Sequence, residues 1–199
     1  MSGVPSTAPL LVLVKHAQPV LDAACPPREW DLAAEGEEQA ERLADALRQY
    51  LPFQIVSSPE LKARRTSDIV AATLGITAMT AEDLRELDRP VLPILSHDGH
   101  EALNARVFQE FHRPVIGRES AAAALQRFQL AVRRQLGPPF EHNVVVIAHG
   151  TVISLFVAAV NPSIDAFALW RRLRCPSYVI LDQVSLAFRD IVEHVQVRT

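Results

Sequence analysis

The chain of 199 residues contains little cysteine and no long hydrophobic segment. Its only cysteines, Cys25 and Cys175, show no CxxC spacing, which argues against a disulfide framework and favours a reduced intracellular protein. The apolar stretches at residues 10–14 and 152–160 are too short to cross a membrane, which takes about 20 residues. No basic segment precedes the first apolar stretch, so no signal peptide is expected. The sequence therefore predicts a cytoplasmic protein without a membrane partner.

Neither the charge nor any motif indicates a nucleic-acid partner, a nucleotide or a metal. The net charge is -3, with 20 basic and 23 acidic side chains, whereas nucleic-acid-binding domains are usually basic. The chain lacks a glycine-rich phosphate-binding loop. Histidines occur at positions 97, 100 and 112, but without the spacing of a metal site. We therefore expect no cofactor and no bound metal.

The chain does contain ample material for a folded core, because hydrophobic residues make up 49% of it. Its length fits one domain spanning residues 1–199. Apolar, β-rich runs typical of buried strands alternate with helical patterns. Ser58 and Pro59 are predicted to cap and open the second helix, and Gly75 to end it. Strands are predicted at residues 10–14, 53–58, 76–81 and 143–149, and helices at 33–50, 59–74, 150–160 and 163–173.

Two other parts of the chain complete the predicted fold. Residues 177–183 and 186–197 alternate between apolar and polar side chains, which suits strands at a sheet edge, antiparallel ones included. Residues 89–140 carry several prolines and helical patches at 99–111 and 119–136, so we expect an excursion that forms a small cap. The sequence predicts a three-layer α/β/α fold with a mostly parallel sheet and a small helical cap insertion.

Polar residues follow three of the predicted strands at the point where each one ends. Lys15 and His16 follow the first strand, Ser57 and Ser58 the second, and His149 the strand at 143–149. Ligands bind beyond the carboxyl ends of the strands in such sheets, so the two histidines are expected in one crevice. An imidazole can attack phosphorus and form a covalent phosphohistidine. Fixed cations and the N–H groups of a helix N-terminus would stabilise the transferring phosphoryl group.

Four sequence blocks resemble the histidine phosphatase superfamily, which includes the phosphoglycerate mutases. The family opens with a strand followed by Arg-His-Gly, and LVLVKHAQP occupies that place. Its block Ser-Ser-Pro-Leu-x-Arg-Ala-x-Gln-Thr-Ala is similar to SSPELKARRTSDIVA at residues 57–71. DLRELDRP at 83–90 resembles its acidic block, and VVVIAHGTVIS at 144–154 its second histidine block. All four blocks occur in the family's order.

The resemblance implies that the protein is a histidine acid-base phosphatase, a hydrolase acting on phosphomonoesters. It makes His16 the phosphorylated nucleophile, Glu86 the proton donor and His149 the second histidine of the phosphate pocket. A phosphatase is favoured over a mutase, because the chain is short. The residues that the resemblance assigns to phosphate binding are Lys15, Lys62, Gln18, Gly150 and Thr151.

The chain departs from the family's pattern at several positions. Lys15 and Lys62 stand where the family has its two pocket arginines, and lysine lacks the planar fork that holds two phosphate oxygens. We therefore expect a slow enzyme. Asp22 stands where several relatives have a phosphate-binding asparagine, and such an acid must point away from a bound phosphate. Ala17 replaces the family's glycine, which is a mild change.

Several alternatives stay open at this point. A catalytically reduced phosphate-binding or scaffold protein of the same fold is the second interpretation, and a metal-dependent hydrolase is the third. The expected partner is a small-molecule phosphomonoester or a phosphoprotein substrate, with no nucleic acid. The sequence leaves the identity of the substrate and the oligomeric state open, a homodimer included.

Overall fold

The computed structural model describes residues 8–51, 53–91, 93–137 and 142–195. These residues contain one six-stranded sheet with the strand order β3-β2-β4-β1-β5-β6. The first four strands of that order are mutually parallel, whereas β5 and β6 are antiparallel to their neighbours. The strands are β1 (Leu10–Lys15), β2 (Phe53–Ser57), β3 (Ala78–Thr80), β4 (Asn143–Ala148), β5 (Ser177–Asp182) and β6 (Phe188–Val192).

Six α-helices are formed by the described residues, together with short 3-10 turns. The turns span Pro27–Glu29, Arg48–Tyr50 and Glu82–Leu84. The helices are α1 (Ala34–Leu47), α2 (Leu61–Leu74), α3 (His97–Gln109), α4 (Ala121–Gln135), α5 (Gly150–Val160) and α6 (Ala166–Arg172). Within the described ranges, no helix combines the length and the apolar character needed to cross a membrane.

Helices cover both faces of the sheet because successive strand residues point to opposite sides. In β1, Val12 and Val14 belong to the core cluster that includes residues of α1 and α2. Leu11 and Leu13 belong to the cluster that includes residues of α4 and α5. The predicted three-layer fold with a mostly parallel sheet is therefore confirmed.

The predicted elements are present, but several boundaries differ, most of all in the last strand, which ends at Val192. Helix α2 begins at Leu61, later than predicted, because the Ser58 hydroxyl contacts the Glu60 N–H and a histidine instead of capping the helix. Gly75 ends this helix with a φ of 69°, as predicted. Strand β5 is fully buried, and β6 forms the edge. Residues 196–197 of the last predicted strand, and 1–7, lie outside the described residues.

The excursion at residues 89–140 contains two helices with different surroundings. Phe128 and Val132 of α4 are buried in the same core cluster as Leu11 of the sheet. Helix α3 contributes the buried Val107 to the same cluster and also contacts α6, where the ring centroids of Phe108 and Phe167 are 5.6 Å apart. Both helices in the described part of the excursion therefore pack on the core. Residues 92 and 138–140 of this range lie outside the described residues.

Candidate active site

His16 lies directly beyond the end of β1, at the edge where the parallel strands end. Its side chain is almost fully enclosed, with 6% of the residue exposed. Its backbone N–H donates to the Ala148 carbonyl over 3.1 Å, which extends the pairing with β4 by one residue. The ring atom Nδ1 lies 2.8 Å from the Ala17 carbonyl oxygen. Because a carbonyl can only accept, Nδ1 carries the proton and Nε2 keeps a free lone pair.

His149 follows β4 and faces His16 across the sheet edge. The two ring centroids are 5.2 Å apart at an interplanar angle of 61°. His149 is 1% exposed, and its Nε2 lies 2.8 Å from the hydroxyl of Ser58, which follows β2. Its Nδ1 is buried and has no hydrogen-bond partner among the described residues. The structure thus brings together the two histidines that the sequence placed in one crevice.

Both imidazoles are held in the neutral form. Burial is the main cause that lowers the pKa of His16 well below 6.5, followed by the positive forms of His149 and Lys62 nearby. Burial likewise lowers the pKa of His149, and Lys62 is the next cause. A neutral imidazole is the nucleophilic form, so the environment prepares His16 for attack on an electrophile.

Lys62 and Glu60 form a buried ion pair beside His149. The Lys62 ammonium donates to Glu60 Oε2 over 2.6 Å and to the Pro27 carbonyl over 2.6 Å. The same Glu60 oxygen lies 3.8 Å from His149 Nε2. The other oxygen of Glu60 accepts the backbone N–H of Glu86 over 2.7 Å. Sequence reasoning missed Glu60, although its signal was an acid at the leucine position of the family's second block.

The Glu86 carboxylate sits at the N-terminus of α5. It accepts the backbone N–H groups of Thr151 over 3.0 Å and Val152 over 3.2 Å, and that of Leu87 over 2.9 Å. Arg127 of α4 donates to the Glu86 carbonyl and to two other carbonyls of the same loop, and so fixes it. The predicted phosphate-binding residue Thr151 therefore has its N–H engaged by Glu86.

Arg89 is a second functional candidate that sequence reasoning missed. Its Nη2 donates to Asn104 Oδ1 of α3 over 2.7 Å and to the Thr151 hydroxyl over 3.1 Å. Arg89 forms no ion pair with a described carboxylate. The available signal was its place three residues after Glu86 in the acidic block. Arg89 thus lies at the start of α5, and its charge contributes to the lowered pKa of His149.

Lys15 extends past Gly150 towards α6. Its ammonium donates to the Leu173 carbonyl over 2.7 Å. A Cβ added at Gly150 would lie 3.5 Å from Lys15 Nζ and 3.4 Å from a Trp170 ring carbon, which are ordinary van der Waals distances. Partial burial, Arg89 and Lys15 together lower the pKa of the nearby His100 to about 4. Lys15 is therefore a cation beside the pocket whose ammonium is held by a carbonyl.

Gln18 and Asp22 do not contact the histidine pair. The Gln18 backbone N–H donates to Gln39 Oε1 over 3.0 Å, and its side-chain amide donates to the Pro19 carbonyl over 3.4 Å. A Cβ added at Gly36 would lie 2.1 Å from the Gln18 carbonyl oxygen, so only glycine lets α1 approach this loop. The exposed Asp22 carboxylate accepts the Ala24 N–H over 2.8 Å. The role of Gln18 as a phosphate ligand therefore stays a prediction, and Asp22 binds within its own loop.

The described residues include no group of three or more histidine, cysteine or acidic side chains arranged to hold a metal ion. Cys25 and Cys175 are free thiols. The arrangement around His16 combines two neutral imidazoles, a carboxylate and several cations. Such a set of groups is chemically suited to displacement at phosphorus, in which the charge on the phosphoryl oxygens must be stabilised.

Comparison with known proteins defines the class that this site belongs to. The profile of the histidine phosphatase superfamily (branch 1) matches residues 11–182. The chain belongs to this superfamily, and the resemblance of the four sequence blocks is confirmed. No curated protein matches the chain.

Solved structures share the fold over nearly the whole chain. A mycobacterial glucosyl-3-phosphoglycerate phosphatase is 20% identical with a TM-score of 0.73, over 94% of this chain and 99% of that one. YhfR of Bacillus stearothermophilus is 22% identical with a TM-score of 0.73, over 95% and 100%. A protein from Thermus thermophilus is 29% identical with a TM-score of 0.62, over 92% and 98%.

Proposed function

We propose that the protein is a phosphatase that hydrolyses a phosphomonoester through a phosphohistidine on His16. The observation that carries this proposal is the state of the His16 ring. Its Nδ1 proton is held by the Ala17 carbonyl and its pKa is lowered, so Nε2 presents a lone pair at the carboxyl edge of the sheet. Membership of the histidine phosphatase superfamily supports the same chemistry.

The proposed reaction has two displacements. His16 Nε2 attacks phosphorus, the bond between phosphorus and the ester oxygen breaks, and Glu86, which has first taken up a proton from solvent, gives that proton to the leaving alkoxide. A water then attacks the phosphohistidine, and its proton passes to the Glu86 carboxylate as the N–P bond breaks. The products are an alcohol and inorganic phosphate, and His16 and Glu86 return to their starting forms.

The cations around the histidines would stabilise the phosphoryl oxygens. Lys62 lies near both histidines, since its charge contributes to the lowered pKa of each. His149 offers a buried nitrogen without a protein partner to the same oxygens. The proposed rate is low, because Lys62 is engaged by Glu60 and Lys15 by the Leu173 carbonyl, and neither has an arginine's fork.

The substrate is proposed to be a small phosphomonoester or a phosphoprotein. The mycobacterial neighbour that shares the fold has been crystallised with inorganic phosphate and with VO3. We expect the same two anions to inhibit this protein, because both resemble states of the transferring phosphoryl group. The free thiols fit the reducing compartment of the cytoplasm.

A metal-free assay over a panel of phosphomonoesters tests this proposal. We expect turnover that chelators leave unchanged and that vanadate inhibits. His16→Ala should abolish it, and His112→Ala should not, because that exposed histidine serves as a surface control. Activity lost in a chelator and restored by a divalent ion would favour the metal-dependent hydrolase instead.

A second candidate function is phosphate-ligand binding or scaffolding with little turnover. The ion pair between Lys62 and Glu60 favours it, because an internal carboxylate already satisfies a cation of the pocket. This candidate predicts phosphate binding that depends on His16, Lys15 and Lys62, with no hydrolysis of any substrate in the panel.

A further inference from the structure

The Glu60 carboxylate occupies a position between two groups that the proposed reaction uses to hold phosphate. Its Oε2 is 2.6 Å from the Lys62 ammonium and 3.8 Å from Nε2 of His149. Lysine ammoniums and imidazole N–H groups are also what a phosphoryl oxygen binds. Glu60 Oε2 therefore occupies a hydrogen-bonding position of the Lys62 ammonium that a phosphoryl oxygen would also take, beside the His149 ring.

The ion pair of Glu60 and Lys62 is enclosed by protein, so water screens its charges little. The side chain of Lys62 is 6% exposed and that of Glu60 is 10% exposed. Charges screened little by water interact more strongly than surface charges, and a buried carboxylate repels an incoming dianion. The block Ser-Ser-Pro-Leu-x-Arg has leucine at this position, so the repulsion is a property of this chain and not of the pattern that it resembles.

We propose that Glu60 competes with the phosphoryl group of the substrate for Lys62 and thereby weakens phosphate binding. A phosphoryl group that enters the pocket replaces Glu60 Oε2 as the acceptor of the Lys62 ammonium. Glu60 Oε1 keeps the Glu86 N–H, so the carboxylate also ties the phosphate pocket to the backbone of the proposed proton donor. This inference rests on the proposed function, because it takes Lys62 and His149 as phosphate ligands.

Glu60→Gln is the variant that tests the competition. The glutamine oxygen can still accept the Glu86 N–H, and its amide nitrogen then faces the Lys62 ammonium, with which it forms no hydrogen bond. Lys62 is thereby released for a phosphate oxygen. We expect this variant to bind inorganic phosphate at least about tenfold more tightly than the wild type, measured by titration calorimetry on the full chain.

Matched variants separate the local effect from a change in net charge. Glu38→Gln removes the same charge from an exposed side chain of α1 that pairs with the half-buried Arg42, and its phosphate affinity should equal that of the wild type. In a Lys62→Gln background, Glu60→Gln should bring no gain. Glu60→Asp keeps the charge on a shorter side chain and should show a smaller gain in phosphate affinity. This variant tests the proposal if Glu60→Gln does not fold.

The result that overturns the proposal is phosphate binding by Glu60→Gln, or by Glu60→Asp if the former is unfolded, that is equal to or weaker than in the wild type. Absence of phosphate binding in all of these proteins overturns it as well. The experiment measures phosphate affinity and not turnover. A failure of the competition by Glu60 can therefore be told apart from a failure of the proposed phosphatase activity. A chain that hydrolyses nothing can still show the tighter binding, and an active phosphatase can lack it.

Discussion

His16 and His149 face each other with few polar partners, whereas the charged side chains around them are already engaged by the protein. The histidine half of the pocket is buried and neutral, and His149 keeps a nitrogen without a partner among the described residues. In the charged half, Lys62 forms an ion pair with Glu60 and Lys15 donates to the Leu173 carbonyl. Glu86 accepts an N–H group at the N-terminus of α5. The difference indicates that the proposed nucleophile His16 already has its reactive, neutral form before substrate binds. The proposed phosphate-binding groups must instead exchange their protein partners for the phosphate when substrate enters.

The largest effect is expected in the histidine half. His16→Gln removes the proposed nucleophile and should lower kcat/KM by at least about 10⁴-fold. His149→Gln removes one stabilising partner of the phosphoryl group and should cost about 10²–10³-fold. Steady-state kinetics with an aryl phosphate would measure both. Equal losses for the two variants would contradict the separate roles of the histidines.

Glu86→Gln tests the charged half of the pocket. Its effect on the rate should depend on how much the leaving group of the substrate needs a proton. An alkoxide needs a proton when it leaves, so alkyl phosphates should slow by about 10²–10⁴-fold. Aryl phosphates with good leaving groups should change far less. The ratio of kcat/KM values for one alkyl and one aryl substrate is the measurement. A loss of the same size on both substrates would show that Glu86 is not the proton donor.

The two lysines offer a gain of function. Lys15→Arg combined with Lys62→Arg should raise kcat/KM about ten- to thirtyfold, because an arginine fork can hold Glu60 or a carbonyl and a phosphoryl oxygen at once. The two sites share one phosphate, so their effects need not add. A double variant that is slower than the wild type, with its circular dichroism unchanged, would contradict the idea that lysine limits the rate.

The neutrality of the histidine pair predicts a pH dependence of stability. Because the pKa of each is lowered below 6.5 in the folded state, only the unfolded chain binds protons there as the pH falls below that value. Each histidine should therefore lower the free energy of unfolding by about 1.4 kcal/mol per pH unit of acidification, until the folded state itself takes up the proton. His149→Gln should reduce this slope. Urea unfolding between pH 8 and pH 5 measures it, and parallel profiles of the wild type and His149→Gln would contradict the neutral pair.

The sequence predicts the parts of this protein that depend on pattern and order. The buried strands, the helices between them and the meeting of His16 with His149 follow from apolar runs and from the rule that parallel strands end at one edge. Side-chain partners do not follow from these patterns. The late start of α2 depends on Ser58 turning to His149, and the engagement of Lys62 depends on Glu60, two residues earlier, reaching it across the turn that opens that helix.

Arg89 illustrates the same limit. Its neighbourhood in sequence is the acidic block, but its contacts come from α3 and from the start of α5, which only the folded chain brings together. Likewise, Gln18 lies two residues after His16, yet Gly36 lets α1 pack against its backbone and its amide turns to Pro19. The sequence therefore predicts the place of groups that directly follow a strand, such as His16 and His149, better than the partners of side chains farther along a loop.

The formation of a phosphohistidine on His16 is the central claim, and rapid quenching tests it most directly. The wild type is mixed with an aryl phosphomonoester and stopped in base within milliseconds, and the intact mass and the peptides are measured. We predict up to one phosphoryl group per chain, stable in base, lost in acid and located on His16, with the same adduct in His112→Ala and none in His16→Ala. Turnover without an adduct, or an adduct on another residue, would contradict the account.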